Sequence, residues 1–529
     1  MNGNAFMKKA HLLKKLRLII ALIFLITGTF LFIDFTGISP DAAYVIFSHA
    51  QFIPSLISLL SAFGLAGLVC VLLMILTVLF GRVYCSTICP LGGLQDVFSF
   101  LARRISKKRK RFRYNKEYPL WRYGILGVVV VSSLTGFTLL INLLDPYSNF
   151  GKIFSVLFRP LYVQANNALA SLLEKFNNYW LYSTGIGQHE WSIYLYPAFV
   201  LLVVFLFSFF GGRRYCNTIC PVGTLLGLLS KVSVFKIQID AKKCNSCGRC
   251  ASVCKGECID FKIRKIDFSR CVTCYNCLSE CPLQAIGYSR GYALERTPVN
   301  EEPSRRLFLK KATLLVAATA SSAPLVMDDT QNDSTGSLAP VHKKGTVTPP
   351  GSRNLEHFNK TCTACHLCIS YCPMHVLQPS LLQYGLKGFM QPYMDYQSGY
   401  CNYECTRCTR VCPSGALVPV SREEKKTLQL GTVRFIKENC IVYLHDRSCG
   451  ACAEHCPTQA VTMVPYKGAL TIPSTNTSIC IGCGACEYVC PAMPNKAIVV
   501  DAHAVHQKAE KPSLTKPALP QETKEDFPF

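Results

Sequence analysis

Four long apolar segments interrupt the polar pattern of the first 235 residues and predict helices that cross a membrane. Each holds at least 16 uncharged residues in a row, close to the length that the hydrocarbon core of a bilayer requires. The first is the shortest, because Asp34 ends its uncharged run. The segments cover residues 18–35, 57–80, 123–144 and 193–210.

The basic residues beside these segments set their predicted orientation. Lys and Arg are frequent before the first segment and between the second and third, where Arg103, Arg104 and the basic run 107–113 lie. The loop between the first two segments has no Lys or Arg, and the stretch from Asp145 to Ser192 has only three. Both ends of the module are therefore expected in the cytoplasm.

An internal repeat follows the second and fourth segments. GRVYCSTICP begins at Gly81 and GRRYCNTICP at Gly212, and the two agree at eight of ten positions. Residues 1–235 are therefore predicted to form two tandem helix pairs, an arrangement that often places a functional site where the halves meet. One metal centre could then be held by Cys85, Cys89, Cys216 and Cys220. The alternative is that these cysteines pack as small apolar residues and that each proline starts a helix.

Residues 236–295 carry two cysteine motifs with the spacing of a two-cluster ferredoxin. In such proteins three cysteines, two residues apart, bind one cubane and the fourth reaches the other cluster. The first [4Fe–4S] cluster is assigned to Cys244, Cys247, Cys250 and Cys281. The second is assigned to Cys271, Cys274, Cys277 and Cys254. Eight cysteines in this register favour clusters over zinc, the alternative for paired Cys-x-x-Cys, and the extra Cys258 is interpreted as a spare.

A twin-arginine motif follows, Ser-Arg-Arg-Leu-Phe-Leu-Lys from Ser304. It predicts an export signal that moves folded, cofactor-loaded domains across a bacterial inner membrane. The mildly apolar run 312–326 is too short for an ordinary spanning helix, so residues 296–327 are predicted to be an internal signal and fifth apolar segment. A buried Ala-rich helix behind a basic start is the alternative. Residues 328–355, rich in Asp, Ser, Thr, Gly and Pro, are predicted to be a flexible linker.

Four further cysteine motifs in residues 356–501 predict a polyferredoxin domain with four more clusters. Two motifs are regular: Cys362, Cys365, Cys368, Cys372 and Cys480, Cys483, Cys486, Cys490. Two have a longer first gap: Cys401, Cys405, Cys408, Cys412 and Cys440, Cys449, Cys452, Cys456. The start of the first motif also matches the c-type haem pattern, but its place in a full ferredoxin repeat favours a cluster. Residues 502–529, rich in Lys, Glu and Pro, are predicted to be disordered.

Composition agrees with these assignments. The 529 residues are 50% hydrophobic, include 30 Cys and carry a formal charge of +24. Cysteines in repeated groups of four indicate cluster ligation rather than disulfides. The positive charge could indicate nucleic acid, but the basic residues concentrate where they set membrane topology.

The order of these modules is similar to that of a known family pair. The repeated GR-x-YC-x-TICP motif with a two-cluster domain resembles NapH, the membrane quinol dehydrogenase of periplasmic nitrate reduction, and equally the C-terminal half of the nitrous-oxide reductase regulator NosR. The export signal with four motifs resembles the exported polyferredoxin NapG. Together the two cover nearly the whole chain, as if two subunits were fused. The resemblance implies quinol oxidation at the membrane, with electrons leaving towards the periplasm, and does not specify nitrate.

The expected fold is a four-helix transmembrane module with α+β ferredoxin-like [4Fe–4S] domains on both sides of a bacterial inner membrane. The domain 236–295 is expected in the cytoplasm and the domain 356–501 in the periplasm. We expect six clusters and one further metal centre. The expected partners are the membrane quinone pool, a periplasmic redox partner and the twin-arginine translocase, without nucleic acid.

The expected activity is that of a quinol dehydrogenase component in anaerobic respiration, which passes electrons from menaquinol to a periplasmic acceptor such as a reductase. A redox assembly or reactivation factor for a periplasmic metalloenzyme, and a cluster-based redox sensor, are the alternatives. The sequence does not locate the quinol site. Asp34, His49, Asp145 and His189 are ionisable residues near the predicted outer ends of the helices, where quinol protons could leave, although each also fits an interfacial or loop role.

Overall fold

The computed structural model describes residues 3–34, 36–62, 65–105, 112–185, 190–290 and 341–511. The predicted export signal, the apolar run behind it, His189 and most of the predicted linker lie outside the described residues. The N-terminal part is helical. Its elements are α1 (Gly3–Ile33), α2 (Asp41–His49), α3 (Phe52–Ala62), α4 (Leu65–Phe80), α5 (Val83–Thr87), α6 (Pro90–Ile105), α7 (Pro119–Leu134), α8 (Leu139–Leu144), α9 (Pro146–Lys152), a π-helix (Ile153–Phe158), α10 (Arg159–Glu174), α11 (Trp191–Gly211), α12 (Arg214–Thr218) and α13 (Pro221–Ser230).

Two described helices are long and apolar enough to cross a membrane, in agreement with the first and fourth predicted segments. They are the stretch His11–Ile33 of α1 and the whole of α11. The helix α1 ends just before Asp34, whose carboxylate accepts the backbone N–H of Thr36 at 2.8 Å. A third candidate is the bent pair formed by α2 and α3, whose axes differ by 81°.

The second predicted segment, 57–80, is not one continuous helix. It is divided between α3 and α4, which pack side by side. Gly67 permits this packing, since a Cβ there would lie 3.0 Å from Cα of Leu59. The prediction of a single span was wrong because an unbroken apolar run does not distinguish one long helix from two apolar helices that pack on each other.

The third predicted segment, 123–144, is also broken. A left-handed glycine, Gly136 at φ +78°, separates α7 from α8. Its backbone N–H and that of Phe137 donate to carbonyls in the last turn of α7, which is how a glycine commonly closes a helix. The apolar pattern continues through this glycine, so hydropathy alone did not predict that α7 ends there.

Residues 235–290 form a small α+β domain, called the first ferredoxin domain below. The antiparallel pairing of β1 with β4 brings its two ends together, with Ile237 opposite Tyr288. A buried apolar cluster that includes Ile237, Leu278 and Ile286 lies among the cysteines. Its elements are β1 (Phe235–Ile239), α14 (Arg249–Ser252), β2 (Ile259–Asp260), β3 (Lys265–Ile266), α15 (Asn276–Glu280) and β4 (Ile286–Arg290).

Residues 341–511 form a larger α+β unit, called the second array below. Each of its three sheets is an antiparallel pair, β5 with β6, β7 with β10 and β8 with β9. The helices are short, as expected where cysteine loops interrupt the chain. The elements are α16 (Leu355–Thr361), α17 (Leu367–Ser370), β5 (Leu377–Pro379), β6 (Pro392–Met394), α18 (Arg407–Arg410), α19 (Arg422–Thr427), β7 (Leu428–Phe435), α20 (Ile441–His445), α21 (Ala451–Glu454), β8 (Val461–Pro465), β9 (Thr471–Thr475), α22 (Ala485–Val489) and β10 (Ile498–Lys508).

Two predicted boundaries of the second array are wrong. The predicted linker reaches residue 355, but Val347 is buried and the backbone N–H of Lys344 donates to Asp501 at 2.9 Å. The predicted disordered tail begins at residue 502, but β10 continues to Lys508 and pairs with β7 there. Both stretches are polar or turn-rich, and composition alone does not reveal that backbone hydrogen bonds hold them against the array.

The two ferredoxin units contact opposite ends of α1. Near its start, Lys14 Nζ donates to Ser279 Oγ of the first ferredoxin domain at 3.2 Å. At its last turn, the carbonyl of Phe32 accepts from Ser370 Oγ of the second array at 3.1 Å. Residues 14 and 32 of a continuous helix stand about 27 Å apart at 1.5 Å per residue. That distance is close to the thickness of the hydrocarbon core of a bilayer, about 30 Å.

The second array shares an apolar core with the helical part. Leu367, Tyr371 and Val411 of the array are buried in the same cluster as Phe32 and Tyr44. The rings of Tyr44 and Tyr371 lie with centroids 4.1 Å apart. The second array is therefore joined to the helices by a shared apolar core, and not only by polar contacts at the surface.

The backbone of the second array comes close to α9 at Gly151. A Cβ on Gly151 would lie 2.1 Å from the carbonyl oxygen of Cys365 and 2.8 Å from the ring of Phe32. Real Cβ atoms do not approach a backbone oxygen so closely, so a larger residue here forces the array away from α9.

We expect Gly151→Ala to weaken this docking by roughly 1–3 kcal/mol, the usual cost of inserting a methyl group into a packed core. A protease site inserted at residue 335 would allow the array to be cut free in detergent. The unaltered pair should stay together on size-exclusion chromatography, and the Gly151→Ala pair should separate. The matched control is Gly127→Ala, where a Cβ meets nothing within 4 Å. Equal retention of all three would contradict the packing.

Candidate iron–sulfur centres

Electrostatic interactions between the thiols divide the 24 ferredoxin-type cysteines into six sets of four. In the first ferredoxin domain, electrostatic interactions connect the two sets that the spacing predicts: Cys244, Cys247, Cys250 and Cys281; Cys254, Cys271, Cys274 and Cys277. In the second array the fourth cysteine is exchanged between neighbouring motifs. The sets there are Cys362, Cys365, Cys368 and Cys412; Cys372, Cys401, Cys405 and Cys408; Cys440, Cys449, Cys452 and Cys490; Cys456, Cys480, Cys483 and Cys486.

The four regular motifs share one loop conformation. In each, the residues directly before and after the second cysteine have positive φ, as Ser246 and Gly248 do at +58° and +74°. The other three pairs are Thr273 and Tyr275, Ala364 and His366, and Gly482 and Gly484. Such turns point successive backbone N–H groups into a concave nest that suits anions and cluster sulfurs. The N–H of Ser246, for example, donates to Cys244 Sγ at 3.4 Å.

Cys254 occupies the same local geometry as the cysteines that precede a proline. The third residue after it, Glu257, has φ of +52°, like Gln284 at +51° after Cys281. In the motifs of Cys281, Cys372, Cys412 and Cys456 the next position is buried and holds Ala285, Val376, Ala416 and Ala460 respectively. In the motif of Cys254 that position holds Cys258, the cysteine that the sequence leaves as a spare.

Cys258 touches the second set of the first ferredoxin domain without belonging to its spacing pattern. Its Sγ lies 3.6 Å from Cys254 Sγ. This hydrogen bond is the main reason why the pKa of Cys254 is lowered to about 7, and burial opposes it. Either sulfur can donate in this contact, and if Cys254 is the thiolate ligand that the spacing predicts, the thiol of Cys258 is the donor.

The repeat cysteines of the helical part also converge. Cys85, Cys89, Cys216 and Cys220 are all buried, and their thiols interact electrostatically with one another. Each repeat has the same layout: the first cysteine lies in a one-turn helix, α5 or α12, and the second directly precedes the proline that starts α6 or α13. The prediction that each proline starts a helix and the prediction that the thiols converge are thus compatible.

Two fully buried arginines cross between the repeats. Arg82 of the first repeat donates to the carbonyl of Cys216 at 3.2 Å, and Arg213 of the second donates to the carbonyl of Cys85. Arg82 also reaches Cys85 Sγ, at 3.7 Å. Since the two arginines occupy equivalent places in the repeat, the two halves are tied by a reciprocal exchange of guanidinium groups.

Two glycines make room for these arginines. A Cβ on Gly92 would lie 2.5 Å from the carbonyl oxygen of Cys85 and 2.9 Å from Arg213 Nη1. A Cβ on Gly223 would lie 2.2 Å from the carbonyl oxygen of Cys216 and 2.7 Å from Arg82 Nη2. The same steric requirement recurs in both halves.

The four-cysteine site fits an iron–sulfur cluster by its donor set and its unpaired polar atoms. Burial raises the pKa of Cys89 and Cys220 well above the usual value, so these thiols ionise only against positive charge. Arg82 Nε and Arg213 Nη2 are buried without a hydrogen-bond partner in the structure. Hydrogen bonds to cluster sulfurs are a common way to use such donors. A cluster here would supply one-electron transfer.

The spacing of the ligands suits a cubane better than one ion. Within the described parts of the chain, no three His, Cys, Asp or Glu side chains are placed to hold a single metal ion. A zinc site needs its ligands gathered around one ion. In a cubane each thiolate binds a different iron, so the sulfurs stand farther apart.

Asp96 in α6 connects this site to the first ferredoxin domain. Its carboxylate pairs with Arg213 at 2.9 Å, with Lys255 at 3.1 Å and with Arg17. Burial favours the neutral form, but the three cations outweigh it and hold the pKa of Asp96 well below its usual range. Asp96 is therefore a buried anion that links α1, the second repeat and the residue after Cys254.

On the opposite side, Tyr84 and Asp145 connect the four-cysteine site to the second array. Tyr84 is buried and interacts electrostatically with Cys89 and with Asp145. Asp145 caps α9 through Ser148 and interacts in turn with Cys365. The repeat cysteines thus lie between the two ferredoxin units, with packed side chains towards each.

The repeat was visible in the sequence, but the arginines and glycines that hold its two halves together were not identified from it. The arginines stand within the duplicated GR-x-YC-x-TICP string, and the glycines lie two residues after each proline, just outside it. Their repetition was a usable signal. Nothing in the sequence marked Asp96, because the equivalent position of the other repeat is Gly227, whereas Tyr84 recurs as Tyr215 within the duplicated string.

Comparison with known families assigns iron–sulfur chemistry to three parts of the chain. A 4Fe-4S binding domain matches residues 62–109 and 195–240, the two segments that contain the repeat cysteines. A 4Fe-4S dicluster domain matches residues 361–417, and a second dicluster family matches 439–493. The two dicluster matches divide the second array where the exchanged cysteines divide it.

Among characterised proteins, the methylamine utilization ferredoxin-type protein MauM of Methylophilus methylotrophus is 32% identical over 36% of this chain and 83% of its own length. The chain belongs to the ferredoxin-type 4Fe-4S proteins. Other ferredoxin-type relatives are NapG of Escherichia coli K12, 32% identical over 27% of this chain and 65% of its own length, and NapF of the same organism, 28% identical over 30% and 87%. No solved structure matches.

As a ferredoxin-type protein, the chain is an iron–sulfur protein of electron transfer with several 4Fe-4S domains, and its described residues include two or three helices suited to a membrane. The predicted resemblance to NapG is matched by a relative of that name. The resemblance to NapH and NosR, the number of six clusters and the identity of each ligand stay predictions.

We expect Gly223→Ala to disturb the four-cysteine site, because its Cβ would collide with a backbone oxygen that cannot swing away. The change should lower the iron content of the ferredoxin-type protein by about one cluster, or four irons per chain, and leave the other clusters intact by electron paramagnetic resonance. Gly124→Ala is the control, since a Cβ there meets nothing within 4 Å. An unchanged iron content in Gly223→Ala would count against a cluster at this site.

We expect Cys258→Ala to retain all of the iron, since alanine fills the corresponding position in three other motifs. The loss of a thiol donor to Cys254 should lower the reduction potential of that cluster, because hydrogen bonds to ligand sulfurs stabilise the reduced form. A redox titration followed by electron paramagnetic resonance measures the shift. Cys254→Ala is the comparison and should lose the cluster. If instead Cys258→Ala loses the cluster, Cys258 is the ligand.

Proposed function

We propose that the protein oxidises a membrane quinol and passes the electrons through its [4Fe–4S] centres to an acceptor on the other face of the membrane. The observation that carries the proposal is the position of the two ferredoxin units at opposite ends of α1, about 27 Å apart along the helix. A protein that transfers electrons only between soluble partners does not require two ferredoxin units separated by about the thickness of a bilayer.

The residues that lie between the two ferredoxin units support the same proposal. The four-cysteine site lies between them, joined to the first ferredoxin domain through Arg213, Asp96 and Lys255 and to the second array through Tyr84 and Asp145. Iron–sulfur centres carry electrons one at a time, whereas a quinol gives two. Several centres close together are what such a donor requires.

Charge and the export motif support an orientation. The basic residues of the N-terminal flanks favour the cytoplasm for the first ferredoxin domain. Arg305 and Arg306 lie between the two ferredoxin units in sequence, so a twin-arginine signal there would send the second array to the periplasm of a bacterial inner membrane. The partners in this scheme are the quinone pool, the twin-arginine translocase and a periplasmic redox protein such as a reductase.

We expect menaquinol to reduce the clusters of the full chain in proteoliposomes, seen as bleaching of their visible absorption. Six clusters contain about 24 irons and a seventh about 28. Replacing all four repeat cysteines by Ser should remove one cluster and leave the second array oxidised in the presence of menaquinol. Dithionite should still reduce that array. If menaquinol reduces the variant's array as fast as the parent's, the four-cysteine site is not on the path.

We expect Arg305→Lys together with Arg306→Lys to keep the second array in the cytoplasm, because the export pathway needs the arginine pair. Protease added to spheroplasts should then digest the array in the parent and spare it in the variant, while the clusters of the first ferredoxin domain still form. The control is Arg103→Lys with Arg104→Lys, a basic pair outside the motif. Equal digestion in all three would exclude the export signal.

A further inference from the structure

A cavity of about 470 Å³ lies where α1, α6 and the first ferredoxin domain meet. Its volume falls within the range of small-molecule sites in proteins, about 300–1,000 Å³. One side of the cavity is apolar, and the other carries most of its charged groups. The apolar side is made by Leu18, Ala21, Leu22, Leu25, Val97 and Phe100.

The apolar side opens towards the expected lipid. Leu18 and Leu22 are 49% and 43% exposed and belong to the stretch of α1 that is long and apolar enough to cross a membrane. Phe100 of α6 is 52% exposed beside them. A ligand with an apolar tail can therefore enter from the bilayer without passing through water.

The polar side offers hydrogen-bond partners for a ring with two oxygens. Asp96 accepts, the amide of Asn276 both donates and accepts, and Glu280 stands at the exposed edge. Arg17 and Lys255 give this side positive charge close to the ring position. Positive charge stabilises the anionic form of a quinol and so makes it easier to oxidise.

The cavity lies between two sets of cluster cysteines. Asn276 stands between Cys274 and Cys277 in the sequence, and Arg17 interacts electrostatically with Cys274. Towards the other set, Arg213 bonds both to Asp96 and to the carbonyl of Cys85. A molecule held against Asp96 would have a one-electron acceptor on each side.

We propose that this cavity binds the head group of the quinol, an inference that rests on the proposed quinol oxidation. The bound quinol loses two electrons and two protons and leaves as the quinone. Clusters held by the cysteine sets on the two sides, that of Cys274 and that of Cys85, would each take one electron, and the protons would pass by Glu280 to water at the first ferredoxin domain. The proposed site is thus at one end of α1. Asp34, His49 and Asp145, the described members of the ionisable group that the sequence analysis names, lie towards the other end.

Filling the cavity without breaking its ion pairs tests the site. Val97→Trp places an indole in the void, and Leu101→Trp, one turn further along α6 and outside the cavity lining, is the matched control. The probe is the quinol analogue 2-heptyl-4-hydroxyquinoline N-oxide, whose fluorescence is quenched on binding to the full chain in phosphatidylcholine nanodiscs. We expect at least tenfold weaker binding and slower menaquinol oxidation in Val97→Trp, with unchanged cluster signals, and parental values in Leu101→Trp.

The outcomes separate this inference from the proposed function. If the parent oxidises menaquinol and Val97→Trp binds the probe equally well, the quinol site lies elsewhere and the proposed function stands. If the parent neither binds the probe nor oxidises menaquinol, the proposed function fails with it. If phosphatidylglycerol added to the nanodiscs displaces the probe from the parent, the cavity holds a lipid head group, which also overturns the inference.

Discussion

The reciprocal pair of arginines is the interaction on which the rest of the helical part depends. Arg82 and Arg213 are fully buried, and a buried guanidinium is stable only where acceptors and negative charge surround it. Each finds its acceptor on the other repeat, so neither half can bury its arginine alone. The brace brings the four thiols together and fixes the starts of α6 and α13, and both helices contact the first ferredoxin domain.

From that brace, side chains lead in two directions. Asp96 joins Arg213 to Lys255 and Arg17, and it thereby ties α1 to the first ferredoxin domain. Tyr84, one residue before Cys85, interacts electrostatically with Asp145 at the cap of α9 and belongs to the buried apolar cluster that Cys365 of the second array packs against. The distance along α1 and the position of the four-cysteine site between its ends arise from the same packing.

Much of the chemistry could be predicted from spacing, because a cysteine motif is a local pattern that the loop must follow to reach a cubane. The grouping of Cys244 to Cys281 is an example. The helices were harder. Gly136 ends α7 through its backbone conformation, and Gly67 permits α4 to pack on α3. Both glycines lie in apolar runs whose pattern predicts one continuous helix. Hydropathy records what is buried and says little about where the chain turns.

Long-range contacts were beyond the sequence for a different reason. The meeting of Gly151 with Cys365, and of Asp96 with Lys255, joins residues far apart in the chain, and no local pattern encodes them. The backbone pairing of residues 502–508 with β7 was hidden likewise, since a polar strand at the edge of a sheet has the composition of a disordered tail. A repeat can reveal such contacts only where both copies use them, as the arginines do.

The shared core has a consequence for the order of biosynthesis. Phe32, Tyr44 and Phe150 emerge from the ribosome long before Leu367 and Tyr371, which cover them. Until the second array packs on it, the helical part carries an open apolar face beside α9. This face becomes buried only when the second array has folded. A chain that stalls before this step exposes to proteases an apolar surface that is buried in the finished protein.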